Sequence, residues 1–112
     1  MTAEELIRTF ADARRIEIVG TGAFANDLRR ILPPIQSSEN PTLIVESSGD
    51  TSAIEAALDR VDDLGTIVLA GPLPELPLSL DLYSDLHVRG LTVVGITPDD
   101  PVWDALRSAV RL

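Results

Sequence analysis

The chain alternates two hydrophobic periods, and that alternation constrains its fold more than any other feature. Short continuous apolar runs at residues 15–19, 42–45, 66–70 and 91–94 read as buried strands. Segments with apolar residues at helical spacing lie around and between them. Leu6, Ile7, Phe10 and Ala11 share one stripe over residues 3–14. Phe24, Leu28, Ile31 and Leu32 share a second, and Ile54, Ala57, Leu58 and Val61 a third. Val102, Trp103, Leu106 and Val110 form the last. Strand and helix in alternation predict a parallel sheet with helices packed on it. Strands that are apolar throughout fit a sheet covered on both faces.

Local punctuation supports these boundaries. Thr2 with Glu5, and Ser52 with Glu55, make capping-box patterns at two helix starts. Asp100 can cap the last helix, with Pro101 at its first position. Pro33-Pro34 stops the second helix, because the residue before a proline is pushed out of the α region. Residues 35–40 read as a polar loop, residues 72–77 as a proline-punctuated loop, and residues 80–87 as a helical turn or two.

Composition narrows the function classes. With 112 residues the chain holds one hydrophobic core. Eighteen acidic residues against nine basic ones, all Arg, give a net charge of −9, which repels nucleic acid and anionic membrane surfaces. Cysteine is absent, so disulfides, thiol nucleophiles and thiolate metal sites are excluded together. The acidic start and the lack of any run of ~20 apolar residues point to a cytoplasmic protein.

One motif carries chemistry. Gly20-Thr21-Gly22-Ala23-Phe24-Ala25 matches G-x-G-x-x-A between a predicted strand and a predicted helix, the context of a dinucleotide fingerprint. Gly20 permits the tight turn, Gly22 lets a pyrophosphate approach the backbone, and Ala25 keeps the helix close to the sheet. The same small residues also serve a plain strand-to-helix turn. Each predicted strand runs into a glycine, at Gly20, Gly49, Gly71 and Gly95, along what would be one rim of the sheet. Ser47, Ser48, Gly49, Ala70 and Gly71 therefore join the turn as candidate cofactor contacts. Glu46 reads as a strand-end cap, with ribose or metal binding as the functional alternative. His87 reads as structural or exposed, Phe10 and Trp103 as core. The pairs Asp62-Asp63 and Asp99-Asp100 read as a turn and a helix cap. No catalytic residue and no metal ligand is assigned.

Taken in order, the segments resemble the coenzyme-binding domain of the medium-chain, zinc-type alcohol and polyol dehydrogenases. Arg15-Ile16-Glu17-Ile18-Val19-Gly20-Thr21-Gly22 resembles its first strand and glycine turn. Thr42-Leu43-Ile44-Val45-Glu46-Ser47-Ser48-Gly49 resembles its fourth strand, and Leu64-Gly65-Thr66-Ile67-Val68-Leu69-Ala70-Gly71 its fifth. Residues 80–95 resemble the approach to the sixth. The resemblance implies a reduced Rossmann-like three-layer α/β fold, about four parallel strands flanked by about four helices, as a single domain over residues 1–112. It also implies absences: the family's catalytic domain with its zinc ligands, and its second and third strands. The second strand ends in an acid that holds the adenosine ribose; Glu39 is a weak substitute.

Three functions follow as expectations. The first is a non-catalytic accessory protein, a pseudoenzyme acting through a homodimer or a partner protein, because loss of two strands leaves the first strand at an edge, which the loop 33–41 or pairing with another subunit would cover. The second is a minimal nucleotide-binding module using residues 20–25, with NAD(P) as the candidate cofactor. The third is one half of a split dehydrogenase. The absence of zinc ligands and of an acid–base constellation points away from an enzyme.

Overall fold

The computed structural model describes residues 2–32, 40–72 and 87–110. The readings at Pro33-Pro34, at residues 35–39, 73–77 and 80–86, and the packing of Val110 lie outside the described residues. Within them the order is α1 (Ala3–Asp12), β1 (Ile16–Val19), α2 (Ala23–Ile31), β2 (Leu43–Glu46), α3 (Thr51–Arg60), β3 (Thr66–Leu69), β4 (Thr92–Gly95) and α4 (Val102–Val110). The four strands form one parallel sheet in the order β1-β2-β3-β4. Their last residues, Val19, Glu46, Leu69 and Gly95, stand in one register row, so the four carboxyl ends share a rim.

Side chains alternate between the two faces. Ile16, Ile18, Leu43, Val45, Val68 and Val94 face α1, α2 and α4, which contribute Leu6, Phe10, Leu28, Val102, Trp103 and Leu106. Ile44, Ile67 and Val93 face α3, through Ala57, Leu58 and Val61. The fold is thus the expected three-layer α/β arrangement. All four residues of β2 are buried, whereas β1 is half-buried throughout and β4 is exposed at both ends. That gradient follows from two central and two edge strands.

The connections through α2 and through α3 differ in hand. From β1 to β2 and from β2 to β3 the chain steps one strand in the same direction. Yet α2 lies on one face and α3 on the other. Two such units necessarily have opposite hands, so one departs from the strong right-handed preference of parallel crossovers.

Three local readings change. The cap of α3 is Asp50, not Ser52: its carboxylate accepts the Ala53 N–H at 3.3 Å, and its backbone is extended. Ser52 already lies in the first helical turn, where it cannot cap. Helix α1 ends two residues early, because the Arg14 N–H donates to Thr42 Oγ1 at 3.0 Å and draws the backbone into the sheet. Ala11 is exposed rather than part of the buried stripe. The Thr2–Glu5 capping box is present, and the Val102 N–H donates to Asp100 Oδ1 at 3.0 Å. Leu32, before the prolines, has an extended backbone and closes α2.

Candidate functional site

The glycine turn is built by close approach. Gly20 has φ +113°, and a Cβ there would collide with the Ser47 hydroxyl. That hydroxyl donates to the Val19 carbonyl at 2.7 Å, tying the end of β1 to the turn after β2. A Cβ on Gly71 would lie 2.6 Å from the Ser47 carbonyl oxygen and 2.7 Å from the Gly49 nitrogen. The turns after β1, β2 and β3 therefore pack backbone against backbone, which only glycine allows at these two points.

Gly22 differs. Its φ of +109° also disfavours a side chain, but the space a Cβ would enter is open. It is the N-cap residue of α2, and no side chain caps the N–H groups that follow. Those donors face an open side, where the helix dipole favours an anion.

Beside them is a cavity of about 340 Å³, lined by Thr21, Gly22, Ala23, Phe24, Ser47, Ala70, Gly71, Pro72, Thr97 and Pro98. Seven of the candidate contacts thus meet there. Four do not line it. Gly20 lies behind, against Ser47. Ala25 is fully buried beneath α2. Ser48 is engaged by Glu46, and Gly49 packs on Pro72. Pro72, Thr97 and Pro98 are additions that the glycine pattern did not reach. The rim rule, carried three residues beyond β4, would have found the last two.

The cavity walls are held from below. Phe24 stands edge-on to Trp103, and the Trp103 indole N–H donates to the Thr97 carbonyl at 2.9 Å. Among the described residues, no acidic or basic side chain lines the cavity. Glu46 points away, into the turn before α3. Its carboxylate accepts the Ser48 N–H at 2.8 Å, the Gly49 N–H at 3.1 Å and the Ser48 hydroxyl. It is a cap, as one of its two readings had it. His87 is exposed on the segment that enters β4 from the amino end, opposite the cavity. Asp62 and Asp63 pair with Arg14 and Arg89.

No protein-family model matches the chain. L-threonine 3-dehydrogenase of Bacillus subtilis is 35% identical over 71 residues, which is 63% of this chain and 20% of that protein. The enzyme of the same name from Bacillus licheniformis is 35% identical over 63 residues, 56% of this chain and 18% of that protein. Over these residues the chain is similar to two L-threonine 3-dehydrogenases. Benzyl alcohol dehydrogenase from Acinetobacter calcoaceticus aligns in structure at 25% identity and a TM-score of 0.49, over 66% of this chain and 21% of that one. The chain spans about a fifth of the length of the proteins it matches. Among its described residues, no helix is long and apolar enough to cross a membrane.

Proposed function

We propose that this chain is a non-catalytic binding module descended from a dehydrogenase coenzyme domain, and that it takes a phosphate-bearing nucleotide at the glycine turn. The observation that carries this reading is the cavity where the uncapped start of α2 meets Thr21, Gly22, Ser47 and Gly71. Free N–H donors and a helix N-terminus suit a phosphate, and the largely apolar remainder of the lining suits a flat ring. Among the described residues the lining is of small, hydroxyl, proline and aromatic residues, a surface suited to binding.

The opposite faces of α2 and α3 support descent by internal loss. In a doubly wound sheet the first strand is central, and its helix leads outward on one face while the fourth strand's helix lies on the other. Here α2 and α3 keep those opposite faces although, among the described residues, no strand lies beyond β1. Removing the second and third strands while leaving α2 in place produces that arrangement. The residues fit the phosphates and the nicotinamide side of NAD(P). Among the described residues nothing takes the place of the acid for the adenosine ribose, and Glu39 lies outside them. A cysteine-free chain suits a reducing compartment, so the proposed setting is the cytoplasm. Any hydride chemistry in that setting belongs to another chain or domain.

Thermal unfolding in the presence of NAD(H), NADP(H), nicotinamide mononucleotide, AMP or ATP tests the reading. A bound ligand at 100 times its Kd adds about 2.7 kcal/mol of stability. Gly22→Ala should abolish that gain and itself cost ~1–3 kcal/mol through backbone strain at positive φ. No stabilisation by any of the five removes the proposal.

A further inference from the structure

Among the described residues, strand β1 is at the edge of the sheet. The carbonyls of Arg15 and Val19 accept from β2, through the N–H groups of Leu43 and Ser47. With the two-residue alternation of a strand, the Ile18 carbonyl faces outward, where another strand would add. It is already engaged. Arg29, two turns into α2, donates from Nη2 to the Ile18 oxygen at 2.9 Å and to the Gly20 oxygen at 2.6 Å. Its Nη1 donates to Asn26 Oδ1 at 3.2 Å, which holds the guanidinium plane against its own helix.

We infer that Arg29 seals the β1 edge against strand addition. In a doubly wound sheet the second strand pairs with the first on this side, so its backbone donors would stand where the Arg29 guanidinium stands here. The two are mutually exclusive at the Ile18 oxygen. Arginine suits the task because its fixed, always charged fork supplies several donors at once without needing a second strand. Glu17, on the neighbouring position, adds a second deterrent. It points to the α3 face of this edge strand and pairs with Arg60 at 3.1 Å, placing a charge where an incoming strand would need an apolar neighbour. On this inference the edge left by the loss of two strands is closed by a side chain of the chain itself.

The test compares wild type with Arg29→Ala and Arg29→Met, the second keeping part of the aliphatic stem. Amide exchange at Ile16 and Ile18 is followed at two protein concentrations, with sedimentation in parallel. Wild type should show no dependence of these amides on concentration. In the variants they should exchange about ten-fold more slowly at the higher concentration, together with a rise in mass. Concentration-dependent protection already present in wild type, or its absence in folded variants, overturns the inference. If neither variant folds, NMR of wild-type Arg29 decides. Slowly rotating Nη protons with hydrogen-bond couplings to the Ile18 and Gly20 carbonyl carbons support the seal, and a freely rotating guanidinium overturns it.

Discussion

Phe24 meets Trp103 edge to face, with ring centroids 5.0 Å apart and planes at 76°. The same indole receives Phe10 on another side at 6.2 Å and 85°. It also holds the Thr97 carbonyl through its N–H. One fully buried residue of α4 therefore positions two walls of the cavity, the start of α2 and the loop after β4. Burial of such a ring contributes several kcal/mol, and each edge-to-face pair adds ~0.5–1.5 kcal/mol beyond area.

Trp103→Ala is expected to cost about 3–5 kcal/mol in urea unfolding. Trp103→Phe keeps much of the packing and loses the bond to Thr97, for a loss of ~1–3 kcal/mol. As the chain's single tryptophan, Trp103 should also shift its emission when a ligand enters beside Phe24. A Trp103→Phe variant as stable as wild type would show that the indole N–H does not organise the loop.

Glu46 is 1% exposed, and three donors converge on its carboxylate. Glu46→Gln replaces one acceptor oxygen with an NH₂ group that faces a donor. The expected loss is ~1–3 kcal/mol, the cost of a buried donor left without its acceptor. Because Ser48 in turn accepts the Asp50 N–H at 3.1 Å, the start of α3 should lose amide protection in the same variant. Unchanged exchange at Ala53 would contradict the relay.

Asp27 joins α2 to α4. Arg107 Nε lies 2.6 Å from its carboxylate and Arg30 Nη2 lies 2.7 Å away. The hydrogen bond from Arg107, and then that from Arg30, hold its carboxyl below the ordinary value of 3.8. A carboxyl lowered on folding stabilises the fold above its unfolded pKa. The contribution fades as the pH falls through the folded value. The stability difference between wild type and Asp27→Asn should therefore be flat from about pH 5 upward and shrink as the pH drops below 3.8. A difference that stays constant to strongly acid pH would contradict the pairing.

Leu64 is 82% exposed and has φ +66°, in the left-handed region that a leucine side chain disfavours. Its N–H donates to the Arg89 carbonyl at 2.8 Å, so the turn requires this conformation whatever residue occupies it. Leu64→Asn is expected to stabilise the protein by ~0.5–1 kcal/mol, read as a higher urea midpoint at unchanged slope. Leu64→Gly should give a smaller gain, because glycine also enlarges the unfolded ensemble.

Much of the fold was legible from residue order. The strands lie within one residue of their apolar-rich runs, because residues on both faces of a covered sheet pack against helices. The candidate site was legible in part. Gly20 and Gly22 stand out by type, and the rim follows from parallel strands. Pro72, Thr97 and Pro98 do not stand out, because a loop joins a cavity through where its strand ends and not through its composition. Asp50 went unassigned as a cap because Ser52 and Glu55 offered the same pattern two residues later. Contacts from the turn before the helix decided between them.

The order of strands, the parallel sheet, the glycine turn and the absence of cysteine chemistry were set by residue types and their periods, which are local properties of the chain. The face taken by α2, the opposite hands of two successive crossovers and the sealing of β1 by Arg29 were not. Both faces of the sheet accept an amphipathic helix, so the stripe on α2 is the same on either. Which face it covers depends on α1 and α4, which meet it around Trp103 from the two ends of the sequence. Arg29 is likewise one exposed-looking arginine among nine until the fold brings it to the two carbonyls that the edge of the sheet leaves open.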